Sequence, residues 1–344
     1  MMVWFYLLLI GFLAFALTGL LRKYALARSL VDIPNARSSH SVPTPRGGGV
    51  AIVLSFLFGI VALWAFDILE SDMFFGLVGA GMIVAVTGFI DDHGHVAARW
   101  RLVAHFSAAS WGLYWLGGFP VIEVFGADLE LGWFGHILAA IYLVWLLNLY
   151  NFMDGIDGIA GIEASTVCFG GMVLFLLTNN RTLVDQLPIL SLLAATIGFL
   201  IWNFPPAKIF MGDAGSGFVG MLLGLFSIMA AHIDQDLFWG WIILLGAFIV
   251  DATVTLIRRI FKGKSFYEAH RSHAYQYLSR KLGAHKPVSI LFGAINLLIL
   301  LPIAAMVAVG FIDGVLGVIF TFLPLALVAI WLKAGDEIGQ IAEL

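Results

Sequence analysis

Long apolar runs constrain the fold of this chain more than any other feature of its sequence. Hydrophobic residues make up 61% of the chain and charged residues only 12%. Runs of about 18 or more apolar residues, each long enough to cross ~30 Å of hydrocarbon as a helix, recur from end to end. We therefore predict an all-α polytopic membrane protein, a single integral membrane domain over residues 1–344 with about eleven transmembrane helices. The predicted spans lie near residues 3–21, 47–66, 73–90, 102–120, 134–152, 158–178, 187–203, 214–232, 237–257, 287–309 and 315–332.

The distribution of positive charge predicts the orientation of these spans. Of the 18 lysine and arginine residues, 17 fall on one set of alternate loops, and only Arg181 falls on the other. The positive-inside rule assigns the richer set to the cytoplasm. We therefore predict an N-terminus outside the cell and a C-terminus in the cytoplasm. The formal net charge of −4 argues against nucleic acid as a partner.

Carboxylates gather at the predicted cytoplasmic ends of the spans. Two adjacent ones end the third span in TGFIDDHGH, two open the sixth in NFMDGIDGIAG, one opens the eighth in FMGDAGSG, and another lies inside the ninth. Charged groups at this depth are costly and normally face a partner or a water-filled cavity. We therefore predict an active site at the cytoplasmic face. These carboxylates belong to Asp91, Asp92, Asp154, Asp157, Asp213 and Asp251.

The carboxylates that open the sixth and eighth spans suit a divalent metal. On a helix, Asp154 and Asp157 would share one face, and the glycines around them leave room for a ligand. Helix capping is the alternative for Asp154 and Asp213, since a carboxylate is favourable at a helix N-terminus. Hard oxygen ligands without cysteine favour Mg²⁺ or Mn²⁺ over zinc.

The adjacent pair Asp91 and Asp92 needs a cation for a different reason. Both residues end a predicted helix, where the helix dipole is negative and like charges repel. Capping therefore does not account for them. The sequence leaves three candidates for the compensating cation, namely Arg99, Arg101 and a divalent metal.

Two basic loops on the same predicted face could bind phosphate. The first, RSSHSVPTPRGGG, carries Arg37, His40 and Arg46 ahead of glycines that enter a helix, where exposed N–H groups favour anions. The second, SFYEAHRSHAYQYLSRK, carries His270, Arg271 and His273. A topology signal alone is the alternative for this basic loop.

Four motifs in this order resemble the polyprenyl-phosphate N-acetylhexosamine-1-phosphate transferases. They are FIDD, NLYNFMDGIDG, NFPPAKIFMGDAGS and the late His/Arg loop, and the resemblance extends over nearly the whole chain. It implies that undecaprenyl phosphate attacks the β-phosphorus of a UDP-linked amino sugar, giving undecaprenyl-diphospho-sugar and UMP. It also implies a requirement for Mg²⁺, for which Mn²⁺ can substitute.

The resemblance implies catalytic and metal-binding roles for the acidic residues. Asp91 and Asp92 match an aspartate pair near the lipid phosphate. Asp154 and Asp157, counted with that pair as catalytic, match the polar face of an Asn-x-x-Asp-x-x-Asp segment that begins at Asn151. Asp213 matches the principal metal ligand, and Asn151 or Asp154 matches the second ligand.

The resemblance also implies substrate-binding positions. Phe210 matches a uracil-stacking position and Asn203 a neighbouring polar contact, while His270 and Arg271 fall where relatives hold the diphosphate. The remaining substrate-binding positions that it implies are His40, Arg46, Asn151, Lys208 and His273.

Departures from the family pattern narrow the expected substrate. The translocase branch carries a Thr-Pro-Thr-Met-Gly-Gly type first loop and consecutive late histidines, whereas this chain has TPRGGG and HRSH. This favours the hexosamine branch, with GlcNAc, QuiNAc or FucNAc as the sugar. The first loop most resembles O-antigen initiators, which favours the 6-deoxy sugars. We therefore expect a lipopolysaccharide-initiating enzyme of the bacterial inner membrane, surrounded by membrane lipid, with a homodimer left open as its assembly.

Two alternatives remain at the level of sequence. One is the phospho-MurNAc-pentapeptide translocase of peptidoglycan synthesis. The other is a secondary transporter, because acids inside membrane segments are also typical of transporters. The acids of this chain cluster at one face rather than at the bilayer midplane, and no inverted repeat is evident.

Overall fold

The computed structural model describes residues 1–28, 31–32, 42–94, 96–178, 182–264 and 270–336, and these ranges form a helical bundle with two small antiparallel sheets. Strands β1 (Val31–Asp32) and β2 (Thr44–Pro45) form one sheet, and β3 (Ile122–Val124) and β4 (Ala127–Leu129) form the other. The predicted site residue His40 lies outside the described residues. The helices are α1 (Met2–Ala27), α2 (Gly49–Ala65), α3 (Ser71–His93), α4 (Ala98–Trp115), α5 (Gly132–Met153), α6 (Ile159–Thr178), α7 (Leu187–Asn203), α8 (Asp213–Ala231), α9 (Gln235–Leu244), α10 (Gly246–Phe261), α11 (Ala274–Leu282), α12 (Lys286–Ile295), α13 (Leu301–Ala308) and α14 (Gly314–Trp331).

The helices have the composition of a multi-pass membrane protein. Within the described ranges, seven are long and apolar enough to cross a bilayer, counting α12 and α13 as one span; α9 and α10, bent by 66° at their junction, make an eighth. Helices α2 and α7 are apolar but only 17 residues long, and α4 carries two arginines near its start. Each predicted span overlaps one helix or one interrupted pair. The number of spans and their orientation stay predictions.

Helix α8 lies at the centre of the bundle and carries Asp213 as its first residue. Nearly all of its side chains are buried, and it packs against α2, α3 and α5. Small residues make this packing possible, because lipid provides little hydrophobic drive and helices associate through close contact. A Cβ on Gly215 would lie 2.6 Å from the Cα of Gly49, and one on Gly88 would lie 2.6 Å from the backbone nitrogen of Ala214.

The expectation that Asp154 and Asp157 open a helix and share its face is wrong. Helix α5 ends at Met153, α6 begins at Ile159, and the residues between them are not helical. Gly158 has φ +76°, a conformation that glycine adopts without strain. The Tyr275 hydroxyl fills the space beside Gly155, where a Cβ would lie only 2.1 Å from it. This turn directs the two carboxylates to different surroundings.

Two predicted spans are interrupted, and one helix was not predicted. The span 237–257 divides into α9 and α10, and the span 287–309 contains a π-helical turn, Asn296–Leu300, between α12 and α13. The nine-residue helix α11 lies in what the sequence presented as a basic loop. It is too short and too polar to have shown as a span.

We expect Gly215→Ala to destabilise the bundle by about 1–3 kcal/mol, since the added methyl group meets backbone that cannot move aside independently. Thermal unfolding in detergent, followed by tryptophan fluorescence, measures the loss. Gly94→Ala is the matched control, because the nearest atom to a Cβ there is the Ile90 carbonyl oxygen at 3.8 Å. Equal transition temperatures for the two variants would contradict the close-packing account.

Candidate active site

An arginine joins two of the predicted site aspartates. Arg46 Nε lies 3.1 Å from Oδ1 of Asp92, and an Arg46 Nη lies 2.5 Å from Oδ1 of Asp213. Both nitrogens belong to one edge of a planar guanidinium, which is suited to contacting two oxygens at once. The structure thus brings together residues from the first basic loop, the end of α3 and the start of α8. We call these three residues the central triad.

Asp92 has a structural role that the sequence analysis missed. Its Oδ1 accepts a hydrogen bond from the backbone nitrogen of Asp213 at 3.1 Å, and its Oδ2 accepts one from Ala214 at 3.2 Å. The Asp92 carboxylate, at the end of α3, therefore caps the first turn of α8, and the dipole of α8 is positive at that turn. The expectation that capping cannot account for Asp92 is wrong, because it considered only the helix that carries the residue.

Asp91 has a different partner from its neighbour. An Nη of Arg101 lies 2.5 Å from Asp91 Oδ2, and the backbone nitrogen of Val96 donates to Oδ1 at 2.8 Å. Arg101 was one of the three candidate cations for this pair. The guanidinium of Arg99 lies instead over the Trp100 ring. Each of the two adjacent aspartates thus pairs with an arginine, Asp91 with Arg101 and Asp92 with Arg46.

Asn151 and Asp154 lie beside the central triad. The Asn151 side chain donates to the Ser216 hydroxyl at 2.8 Å, one turn into α8. Burial raises the pKa of Asp154 well above its ordinary range, while Arg46 opposes this rise and the carboxylate of Asp213 adds to it. Burial and nearby carboxylates both favour the protonated form of a carboxyl group. The structure therefore supports Asn151 and Asp154 as neighbours of Asp213.

Asp157 faces a separate cavity of ≈ 450 Å³. His285 Nδ1 lies 3.1 Å from its Oδ1, and the backbone nitrogen of Ala207 donates to its Oδ2 at 2.9 Å. The ring of Phe210 lines the same cavity, as do Thr44 and Lys286. We call this space the Phe210 cavity. His285 was not predicted as a site residue, because it stands alone in the sequence after α11.

Asn203 joins two backbone segments next to residues that line the Phe210 cavity. It is buried, its Oδ1 accepts from the backbone nitrogen of Gly158 at 3.0 Å, and its Nδ2 donates to the carbonyl of Ile209 at 2.9 Å. Both ends of the amide are thus engaged by backbone. Asn203 ties the Asp157 turn to the segment that carries Phe210, and a direct substrate contact for it stays a prediction.

An apolar groove of ≈ 370 Å³ reaches the central triad at Asp213. Its lining comes from α3, α4, α5, α8 and α10. The walls are mainly apolar, and the charged lining comes from Asp91, Arg101 and Asp213. We call it the apolar groove. The uncharged polar members of its walls are Thr87, His105, Asn148 and Asn151.

The second basic loop is held by Asp251, for which the sequence suggested no specific role. This buried carboxylate of α10 accepts from the backbone nitrogens of Ala274 and Tyr275, both at 2.9 Å, and lies 3.4 Å from His273 Nδ1. It therefore fixes the start of α11. The Tyr275 hydroxyl in turn donates to the carbonyl of Phe152 at 3.0 Å, just before the Asp154 turn.

The predicted phosphate-binding residues of this loop differ in exposure. His273 is buried, and its ring stacks on that of His270 at 4.9 Å between centroids. Burial lowers the pKa of His270 to about 3, with His273 and Arg259 adding to the effect. His270 is therefore neutral at physiological pH and would contact an anion through an N–H group. Arg271 is half-buried and supplies the permanent charge.

Lys208 lies apart from the central triad. Its ammonium sits 5.5 Å from the centroid of the Trp202 ring, and the Arg22 guanidinium lies over the same ring. Arg22 also donates to the Lys208 carbonyl at 3.2 Å. This side chain is exposed between α1 and α7, so its predicted substrate contact stays a prediction.

The donor set of the central triad suits a hard divalent cation. Among the described residues, no group of three or more His, Cys, Asp or Glu side chains is placed to hold a metal ion. Mg²⁺ needs only one or two carboxylates when substrate phosphates and water complete its shell. Asp213 and Asp92 meet that need, since one guanidinium edge already contacts an oxygen of each.

A multi-pass helical protein with clustered charges, an apolar groove that reaches Asp213 and a cavity lined by Asp157 and Phe210 has the form of a membrane transferase. The sequence model of glycosyl transferase family 4 matches residues 74–231. The chain is 30% identical over 268 residues (76% of this chain, 73% of the relative) to a Bacillus subtilis protein named probable undecaprenyl-phosphate N-acetylglucosaminyl 1-phosphate transferase. The chain belongs to glycosyl transferase family 4, the polyprenyl-phosphate N-acetylhexosamine-1-phosphate transferases, and is a phosphoglycosyltransferase.

Further relatives carry two kinds of name. A Salmonella typhi protein, 29% identical over 274 residues (76% of this chain, 72% of the relative), is named undecaprenyl-phosphate alpha-N-acetylglucosaminyl 1-phosphate transferase. A Hydrogenobaculum protein, 29% identical over 276 residues (70% of this chain, 73% of the relative), is named phospho-N-acetylmuramoyl-pentapeptide-transferase. Family membership therefore leaves the sugar to be determined from other observations.

We expect Asp251→Asn to loosen the start of α11. An amide keeps one acceptor but turns a donor toward the two backbone N–H groups, which costs about 1–3 kcal/mol locally. Hydrogen exchange followed by mass spectrometry should show faster exchange in residues 270–282. Asp313→Asn is the matched control, because Asp313 caps α14 through Leu316, and it should leave 270–282 unchanged. Unaltered exchange in Asp251→Asn would contradict the capping role.

Proposed function

We propose that this protein transfers an N-acetylhexosamine 1-phosphate from a UDP-sugar to undecaprenyl phosphate, giving undecaprenyl-diphospho-sugar and UMP. The observation that carries the proposal is the arrangement at the central triad. Asp213 lines the apolar groove, and Phe210, three residues earlier, lines the Phe210 cavity. A lipid phosphate and a nucleotide sugar would meet at such a junction.

The apolar groove suits the lipid acceptor. Its walls can bury the first isoprene units, while Arg101 at its charged end can hold the phosphate monoester. Arg101 is fixed by Asp91, so its charge is positioned before the lipid arrives. The lipid phosphate is already a strong nucleophile, and it requires orientation more than deprotonation. We favour direct displacement at the β-phosphorus.

The Phe210 cavity suits the nucleoside of the donor. An aromatic ring offers a stacking face for a flat base, and the Asp157 carboxylate offers acceptors for base or ribose donors. Lys286 lines the same cavity and can approach a phosphate. The diphosphate would then extend toward Arg46, with His270 and Arg271 on its other side.

We propose Mg²⁺, with Mn²⁺ as a substitute, bound by Asp213 with Asp92, Asp154 and Asn151 as neighbours. When bound, the metal neutralises charge that develops on the diphosphate during transfer. Asp92 meanwhile keeps the N-terminus of α8 fixed, and Asn151 holds the Ser216 turn behind Asp213. These contacts keep the ligand oxygens from moving as charge shifts.

The sugar and the pathway are narrower proposals. The names of the Bacillus and Salmonella relatives support UDP-GlcNAc as the first donor to test. The TPRGGG form of the first loop supports the 6-deoxy sugars QuiNAc and FucNAc, and with them an O-antigen role in a bacterial inner membrane.

Release of UMP by the purified protein tests the proposal. UDP-GlcNAc, UDP-QuiNAc, UDP-FucNAc and UDP-MurNAc-pentapeptide are each supplied with undecaprenyl phosphate and Mg²⁺. We expect release only with UDP-GlcNAc, UDP-QuiNAc or UDP-FucNAc, and only when lipid and metal are both present. Release without the lipid would indicate hydrolysis, and release solely with the pentapeptide donor would identify a translocase.

We expect Asp213→Asn to lose nearly all turnover while the protein stays folded. The amide keeps the shape of the side chain but lacks the charge needed for Mg²⁺. Steady-state UMP release measures kcat, and Asp234→Asn, at the cap of α9, is the matched control. A tenth or more of wild-type kcat in Asp213→Asn would mean a loss below ~1.4 kcal/mol, too small for a principal ligand.

We expect Asp157→Asn and Asp154→Asn to differ in their kinetic effects, one on KM for the UDP-sugar and the other on Mg²⁺ activation. Asp157 faces the Phe210 cavity, so its variant should raise KM for the UDP-sugar by about tenfold, as loss of a charged hydrogen bond does, with little change in the Mg²⁺ activation curve. Asp154 lies beside the triad, so its variant should shift that curve to higher Mg²⁺. Identical changes in both variants would refute the separation of roles.

A further inference from the structure

Arg46 occupies the position at which the two proposed metal ligands converge. Its guanidinium edge contacts Oδ1 of Asp92 at 3.1 Å and Oδ1 of Asp213 at 2.5 Å. The sequence analysis treated Arg46 only as part of a phosphate cradle. In the structure, it instead provides the positive charge that holds two carboxylates together. Two cations that contact the same oxygens repel each other, so the one already in place opposes binding of the other.

The backbone around Arg46 is fixed, so only its side chain can move. Phe210 N donates to the Pro45 carbonyl at 2.8 Å, and Gly48 and Gly49 donate at 2.8 Å to the carbonyls of Phe210 and Met211. Three hydrogen bonds thus bind the residues on both sides of Arg46 to the segment that leads into Asp213. The Arg46 side chain is 43% exposed, which leaves room for it to turn outward.

Asp92 has little bonding capacity left. Oδ1 of Asp213 is therefore the oxygen for which two cations compete. Both oxygens of Asp92 already accept backbone hydrogen bonds from α8, and its side chain is 4% exposed. The Asp213 side chain is 23% exposed and is therefore the more accessible ligand. Its closest partner is the Arg46 Nη. A metal that binds Asp213 through this oxygen displaces that nitrogen.

We propose that Arg46 is the resident counter-cation of Asp92 and Asp213, that a divalent cation displaces it, and that the displaced guanidinium then binds the diphosphate of the donor. Charge balance supports this order. Two carboxylates with one arginine leave one negative charge, which attracts a dication; the dication and the arginine together then exceed the carboxylates by one positive charge. A bound diphosphate carries a negative charge on each of its phosphates and more than neutralises that excess. The last step rests on the proposed function, whereas the competition does not.

Binding of Mn²⁺ to the purified, EDTA-treated protein tests the competition without any turnover. The EPR signal of free Mn²⁺ gives Kd for wild type, Arg46→Gln and Arg101→Gln. Both variants remove one positive charge near the site, but Arg101 pairs with Asp91 rather than with Asp213. We expect Arg46→Gln to bind Mn²⁺ about tenfold more tightly, and Arg101→Gln to change Kd by less than about threefold. Equal effects, or no effect of Arg46→Gln, would overturn the competition.

Chemical labelling provides a second readout on the same protein. Phenylglyoxal modifies accessible guanidinium groups, and mass spectrometry reports the extent at each arginine. We expect Mg²⁺ to increase modification of Arg46 several-fold in wild type, while leaving Arg258, held by the Ala334 carbonyl and Asp336, unchanged. In Asp213→Asn, Arg46 should be modified rapidly with or without Mg²⁺. Protection of Arg46 by Mg²⁺ would show that both cations bind together and would refute displacement.

The UMP-release assay on the same preparations separates this inference from the proposed function. Mg²⁺-dependent release together with Mg²⁺-independent labelling of Arg46 would remove the inference and leave the function intact. Mg²⁺-dependent labelling without UMP release from any donor would do the reverse. For the last step, addition of UDP-GlcNAc with Mg²⁺ should return Arg46 to slow modification. Continued rapid modification at saturating UDP-GlcNAc would overturn the assignment of the displaced guanidinium to the diphosphate.

Discussion

The hydrogen bonds from the first turn of α8 to Asp92 are the interaction on which the site depends. Helix α8 is almost completely buried, so its free N-terminal amides need a partner from within the protein. Asp92 supplies it from the end of α3, which approaches closely because Gly88 has no side chain. That contact sets where Asp213 begins the helix. Arg46 can then bridge the two carboxylates, and Asp213 lines the apolar groove.

The general fold was predictable because lipid imposes simple rules. A chain with these apolar runs must hydrogen-bond its backbone within each segment, so helices and their approximate limits follow from the sequence. Breaks within helices did not follow. The bend between Leu244 and Gly246 and the π-helical turn at Asn296 lie within continuous apolar runs, so the apolar pattern does not reveal them. The short polar helix α11 was missed because its stability comes from Asp251, 23 residues earlier.

The sequence motifs named several members of the candidate site but not the contacts between them. The motifs selected Asp213, Asp92 and Asn151, which the structure brings together. The sequence placed Asp154 and Asp157 on one helix face, whereas the turn at Gly158 sends them to different surroundings. Spacing arguments assume a regular helix, and they fail where glycines allow a distant side chain such as Tyr275 to take the space. The partnership of Arg46 with two aspartates is likewise non-local, and His285 carried no signal at all.

The bend between α9 and α10 has a consequence for how the acceptor is selected. Leu256, on the far side of that bend, contributes to the wall of the apolar groove. Under the proposed function, a groove of ≈ 370 Å³ would enclose only the head-proximal part of an undecaprenyl chain, and the rest of the tail would stay among the membrane lipids. The enzyme would therefore sense the isoprene units next to the phosphate and be insensitive to total tail length. The tail length of the acceptor used would then depend on which polyprenyl phosphates the host membrane contains as much as on the protein.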